Sequence, residues 1–249
     1  MGSEMCIRDS PMAVAEAFCG EARGIYGEDL VSVVLYGSAA GAGYRPGRSD
    51  VNLMVVLSER AVDRLDRALP LVRKWRNKGV AVPLFLTPAY LETSMDVFPL
   101  EYLGMKRAYR VVYGKDPLAG LRFEPRFVRL QCEREIKGKL LLLRESYLEN
   151  EGKPRFLERV LVRAVPSLLA IFQGLLFLKG AGEATGGEEA VRAASLEFEL
   201  DEKPFLALLN LKKMGARKAD ASPVEIYMGI LGQLRKLAQK IDVLGGEDD

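Results

Sequence analysis

The chain contains no histidine among its 249 residues. That absence removes Ser-His-Asp and Cys-His catalysis, histidine-ligated zinc and any imidazole general base. Cysteine is scarce too: Cys6, Cys19 and Cys132 are far apart and make no CxxC pair. Neither a structural zinc site nor a disulfide framework is expected, and the thiols read as reduced. No excess of one charge appears, since 36 Lys and Arg stand against 34 Asp and Glu for a net +2. That balance is too mild to imply nucleic-acid binding by itself, although it does not exclude it. Long apolar runs are lacking as well. The most apolar stretch, 164–178, contains Pro166 and Gln173 and is shorter than the roughly 20 residues of a membrane span. It reads as a buried core helix in a cytoplasmic protein without a membrane partner. The first ten residues lack the apolar core of a signal peptide and read as a non-native leader, with Met12 as the expected start.

What is present is the composition of an ordinary globular protein, 49% hydrophobic and 28% charged. Its pattern changes character near 118–125. Before that point, short β-branched runs alternate with helical segments. A helix is expected over 12–26, strands over 31–36 and 51–57, and a helix over 59–78. The last carries an apolar side at Val62, Leu65, Leu69 and Val72, with a kink or split at Pro70. Strands over 80–86 and 110–113 follow, the former at an edge or bulged because of Pro83. After the change, helices are expected over 126–149, 155–179 (kinked or broken at Pro166), 188–199, 203–214 and 222–243. The last begins with a capping box at Ser222 and Glu225. The fold class is therefore α+β: a small mixed β-sheet with flanking helices over residues 11–120, then an all-α bundle over 121–249.

The informative segment is Val33-Val34-Leu35-Tyr36-Gly37-Ser38-Ala39-Ala40-Gly41-Ala42-Gly43-Tyr44, followed by Arg48-Ser49-Asp50-Val51-Asn52-Leu53. An apolar strand ends in Gly-Ser, a small-residue loop follows, and a second strand then carries polar residues at alternate positions. Side chains alternate with a period of two along a strand, so Asp50 and Asn52 share one face while Val51, Leu53 and Val55 take the other. Gly37 has no Cβ to hold a phosphate away from the backbone. Ser38 offers a hydroxyl and an N–H at a helix start, a favourable place for an anion. Acidic groups on the next strand can hold divalent cations against those phosphates.

This segment resembles the nucleotidyltransferase superfamily of DNA polymerase β, kanamycin nucleotidyltransferase and the minimal bacterial nucleotidyltransferases. The resemblance is close over 31–57 and extends loosely to Leu118. It implies a nucleotidyltransferase-type sheet, an NTP and Mg²⁺ as ligands, Gly37 and Ser38 as the phosphate-binding pair with Arg48 and Ser49 beside them, and Asp50 as first metal ligand. Two departures stand out. Asn52 occupies the place of the second carboxylate, and Val80-Ala81-Val82-Pro83-Leu84-Phe85-Leu86 has no acid where the third belongs. At an effective dielectric of about 20, each unit charge pair at ~4 Å is worth roughly 4 kcal/mol before desolvation. Losing two of three carboxylates therefore weakens metal binding severely. Asp96 or Glu101 offers a replacement acid, with surface or capping roles as the plainer reading.

The resemblance and its departures imply two functions. One is a degenerate member that binds a nucleotide or a protein partner with weak or no turnover. The other is an active metal-dependent enzyme moving an NMP from an NTP to a hydroxyl of a small molecule, protein or RNA. In either case Asp50 and Asn52 carry the metal chemistry. Arg45 and Arg48 read equally as phosphate contacts or as solvated loop charges. Trp75 reads as a packing residue. The basic residues Arg126, Arg129, Arg134, Lys137 and Lys139 read as a solvated helix face, with an acidic partner or nucleic acid as the alternative.

Overall fold

The structure is a computed structural model, and it describes residues 10–41, 43–47, 49–182, 184, 186–216 and 219–244. Residues 1–9 of the leader and Arg48 lie outside the described residues. The chain divides into two compact units, Met1–Asp96 with Glu101–Arg122, and Val97–Leu100 with Phe123–Asp249.

The first unit opens with α1 (Pro11–Tyr26). Ser10 caps it, its side chain accepting from the Ala13 N–H, and Pro11 sits in the first turn, where no N–H is needed. Four strands follow in the chain: β1 (Leu30–Tyr36), β2 (Asn52–Leu57), β3 (Leu84–Leu86) and β4 (Tyr109–Gly114). They form one sheet in the order β3-β2-β1-β4. β1 is antiparallel to β2 and β4, and β2 is parallel to β3. Val33, Leu35, Val51, Leu53 and Val55 pack with Phe18 and Trp75 in one buried cluster, as the alternation requires. Trp75 is 1% exposed and meets Phe18 edge-on at 6.1 Å. It is a packing residue.

Two expectations are corrected here. The strand over 80–86 is interrupted: Val80 makes a single parallel bridge to Val51, and regular pairing resumes only at Leu84. Pro83 has no N–H for the ladder, and β3 accordingly lies at the sheet edge. The helix over 59–78, for which a kink or split at Pro70 is expected, does split there, but it is three pieces and not two: α2 (Glu59–Val62), a 3₁₀ turn over Leu65–Ala68, and α3 (Leu69–Arg76). Pro70 lies in the first turn of α3, where its missing N–H costs nothing, so it starts a helix instead of kinking one. The break also turns the apolar side outward. Ala61, Ala68, Leu71 and Trp75 are buried, whereas Leu65 and Leu69 are exposed. Two short helices that the pattern does not predict, α4 (Pro88–Thr93) and α5 (Pro99–Arg107), fill the stretch before β4.

The second unit is helical: α6 (Pro125–Glu149), α7 (Pro154–Lys179), α8 (Gly187–Glu197), α9 (Lys203–Met214) and α10 (Pro223–Val243). The capping box is present, with Ser222 Oγ accepting from Glu225 N–H and Glu225 Oε2 accepting from Ser222 N–H. Of the kink or break expected at Pro166, the break does not occur: α7 runs through it as one helix. Its apolar face carries it across that position: Leu161, Val165, Leu168 and Phe172 are all buried in the unit's core. At 26 residues, with a window of mean hydropathy 1.9, α7 is long and apolar enough to cross a membrane, and half of that window is buried inside the protein. The Leu140 to Leu143 run is only half packed, because a helical period leaves Leu141 and Leu142 exposed. At Gly174 an added Cβ would lie 2.7 Å from Cys132 Sγ, so α6 and α7 approach more closely than any other residue there permits.

Candidate functional site

β1 ends at Tyr36 and the chain turns at once into a 3₁₀ segment, Gly37–Ala40. Gly37 has φ +75, a left-handed conformation that suits glycine, and its N–H donates to Ala108 O at 2.8 Å. A Cβ built on Gly37 would stand 3.3 Å from Asn52 Nδ2. The missing side chain is therefore what lets β2 present Asn52 directly beside the turn. Ser38 is exposed and Gly37 is half-buried.

Asp50 and Asn52 flank Val51. Val51 is held in extended pairing, donating to Gly79 O and accepting from Ala81 N–H, both at 3.0 Å. Val51 is buried in the core, so its two neighbours fall on the opposite face, as the alternation predicts. Asp50 is exposed and Asn52 is half-buried. Gly37, Ser38, Asp50 and Asn52 thus gather at one end of the sheet. Ser49 is placed differently: its Oγ accepts from Arg45 N–H at 3.1 Å and closes the loop from 45 to 49. Arg45 is exposed on that loop.

Asn52 pairs with Tyr36, and Tyr36 pairs with Tyr109, which makes one row of polar side chains across β2, β1 and β4. Burial pushes the Tyr36 phenol up. The Tyr109 hydroxyl donates to Asp116 Oδ2 at 2.9 Å, and that bond, with some burial, raises its phenol as well. Asp116 is committed on its other oxygen too, accepting from Leu118 and Ala119 N–H. Arg110 lies next along β4, its Nε donating to Ala40 O at 3.4 Å at the far end of the 3₁₀ turn. Tyr36, Tyr109 and Arg110 are members of the neighbourhood that the motif did not reveal. Strand register places the two tyrosines on the Asn52 face, whereas Arg110, opposite Leu35, belongs to the other face and meets only the far end of the turn. The residue spacing from Gly37 to Asp50 holds no trace of β4.

The place of a third acid is apolar. The β3 residues that share Asn52's face are Leu84, opposite Met54, and Leu86, opposite Val56. Asp96 is exposed in the turn before α5, and Glu101 lies in the first turn of α5. Among the described residues, no three His, Cys, Asp or Glu side chains come together as a metal-binding group, so Asp50, Asp96 and Glu101 do not form one. The donor set beside the turn is one carboxylate and one amide. That suits a single Mg²⁺ that arrives with a nucleotide and keeps its phosphate ligands, and it does not suit a two-metal centre.

No protein-family model matches the sequence, and no curated protein does. The fold has solved counterparts. A crystal structure of spectinomycin adenyltransferase AAD(9) from Enterococcus faecialis, with ATP and spectinomycin, aligns with a TM-score of 0.54 at 12% identity. The alignment covers 89% of this chain and 98% of that one. This chain therefore shares the fold of that nucleotidyltransferase: a mixed four-stranded sheet with flanking helices, followed by a helical C-terminal region.

Proposed function

We propose that this protein binds a nucleoside triphosphate at the turn after β1 and turns it over weakly or not at all. The observation that carries the reading is the content of the sheet face beside Gly37: Asp50 with Asn52, and leucines on β3. Gly37 admits the phosphates to the backbone, and Ser38 offers its hydroxyl. Asp50, helped by the Asn52 amide oxygen, holds the Mg²⁺ that the nucleotide carries, and Arg45 on the neighbouring loop offsets phosphate charge. The bound ion supplies charge neutralisation of the triphosphate. Leu84 and Leu86 occupy the β3 positions on that face, so among the described residues of the sheet no acid stands ready to take the proton of an attacking hydroxyl, and the in-line transfer lacks its base there. Equilibrium binding of a fluorescent ATP, GTP, CTP or UTP analogue, with and without Mg²⁺, tests this on the wild type and Asp50→Ala. Binding that needs the metal and is lost in the variant supports the site. Equal binding by both proteins, or none by either, overturns it.

One observation favours a second reading, transfer of a nucleotidyl group to the hydroxyl of a small molecule. The fold match runs nearly the full length of both chains, helical region included, to an adenyltransferase solved with ATP and a small molecule. Pyrophosphate release on adding a polyhydroxylated acceptor, absent in Asp50→Ala, would establish that reading over the first.

A further inference from the structure

Three arginines on α7, Arg155, Arg159 and Arg163, are spaced four residues apart. At about 1.5 Å of rise per residue they form one line, each step roughly 6 Å along the axis. All three are exposed. None makes an ion pair among the described residues. Among the described residues, the one partner of this row is the Phe156 ring, under Arg159 at 4.5 Å, and that ring is itself 36% exposed. Like charges at i,i+4 oppose a helix, so an uncompensated row is a feature in need of a counterpart.

The neighbouring helix shows what compensation looks like in this protein. On α6, Arg129 and Lys137 both bridge to Glu133, Lys139 bridges to Glu135, and Arg126 bridges to Glu124. Four of the five basic residues on that face are thus paired, with Lys137 also bridging to Asp242, and only Arg134 makes no ion pair among the described residues, so most of the face reads as solvated surface. On α7 the acid within the row, Glu158, is engaged elsewhere, its Oε1 accepting from Ala216 N–H at 3.1 Å. The bond ties the end of α9 to this turn of α7, and α9 ends in Lys212 and Lys213, both exposed. Positive charge therefore stands along this line without an acid of its own to offset it.

We propose that the Arg155-Arg159-Arg163 row binds the sugar–phosphate backbone of a single-stranded nucleic acid. Guanidinium forks grip phosphate oxygens two at a time, and the spacing of the row is comparable to that of successive phosphates on an extended strand. Phe156, an apolar ring already stacked with a guanidinium at the edge of the row, offers a platform for a base. An acidic protein surface would use the arginines but would gain nothing specific from the ring. The assignment stands apart from the nucleotide reading, because no residue of the row belongs to the sheet.

The test is fluorescence anisotropy of a labelled oligouridylate with the full-length protein, the R155Q/R159Q/R163Q variant and Phe156→Ala, at a series of salt concentrations. Each single-strand phosphate contact contributes about 0.7 to the slope of log affinity on log salt, so three contacts contribute about 2. Between about 50 and 200 mM salt, the wild type should then lose about 20-fold more affinity than the triple variant. Phe156→Ala should weaken oligouridylate binding about 5-fold or more with the salt slope kept, since stacking is an uncharged contact. A labelled polyglutamate should bind weakly and be indifferent to Phe156→Ala. The proposal is overturned if the wild type does not bind, if the triple variant keeps the wild-type slope, or if polyglutamate binds as tightly as the oligonucleotide. Circular dichroism and an unchanged affinity for the labelled nucleoside triphosphate confirm that the triple variant is folded. A failure confined to oligonucleotide binding leaves the nucleotide site standing.

Discussion

Asn52→Asp is the substitution that puts most of the electrostatic reasoning at risk. Asn52 stands beside Gly37 on the face it shares with Asp50, so the change adds one negative charge without adding bulk. A unit charge pair at ~4 Å is worth roughly 4 kcal/mol at an effective dielectric of about 20. Asn52 is only half-buried, and the new carboxylate must also sit near Asp50, so solvent and like-charge repulsion remove most of that figure. A net gain of about 1.4 kcal/mol, a factor of ten, is a fair expectation for the metal-loaded nucleotide. The assay is binding of a labelled nucleoside triphosphate as a function of Mg²⁺ concentration. The Mg²⁺ midpoint should fall about tenfold in Asn52→Asp. With a chelator present the sign should reverse, because an uncompensated carboxylate repels the triphosphate. Turnover should remain at background, since Leu84 and Leu86 still occupy the β3 positions on that face. An unchanged midpoint, or tighter binding in the absence of metal, would show that the triphosphate is not held against this face.

Further outcomes follow from other parts of the structure. Gly37→Ala should cost about 1–2 kcal/mol from its left-handed backbone conformation and abolish nucleotide binding; a denaturant titration beside the binding assay checks both, and retained affinity would contradict the close-approach role. Trp75→Ala should destabilise the first unit by about 3–5 kcal/mol, as expected for a fully buried indole, with a change under 1 kcal/mol contradicting the packing assigned to it. The Asp29 carboxyl is held below its ordinary value by the Ser58 hydroxyl and then by Arg60. That contribution is complete above the unfolded value of 3.8 and is lost as pH falls through the lowered folded value. Asp29→Asn should therefore flatten the acid limb of stability against pH, and an unaltered limb would show that Asp29 contributes nothing to it.

The elements with strong periodicity and clear punctuation are legible in the residues themselves. The bounds of α9, and the end of α10 with its capping box, follow from Pro, Ser and Glu placed where helix termini need them. The face shared by Asp50 and Asn52 follows from alternation alone. Within 59–78 the joint at Pro70 is legible, but nothing in the composition between Val62 and Leu65 marks the earlier joint that resets the register. The outward turn of Leu65 and Leu69 is the consequence. The row from Asn52 through Tyr36 to Tyr109 is hidden for a different reason. It depends on β4 pairing with β1 across more than 70 residues of chain, and local pattern carries no information about such pairing.

The most direct test of the central claim is a calorimetric injection of ATP with Mg²⁺ into the wild type, read for heat of two kinds. The account predicts a saturable heat of binding that vanishes in Asp50→Ala, with no sustained thermal power after saturation. Sustained power that depends on Asp50 would contradict it by showing a working transferase, and the absence of saturable heat with every nucleoside triphosphate would contradict it by removing the site.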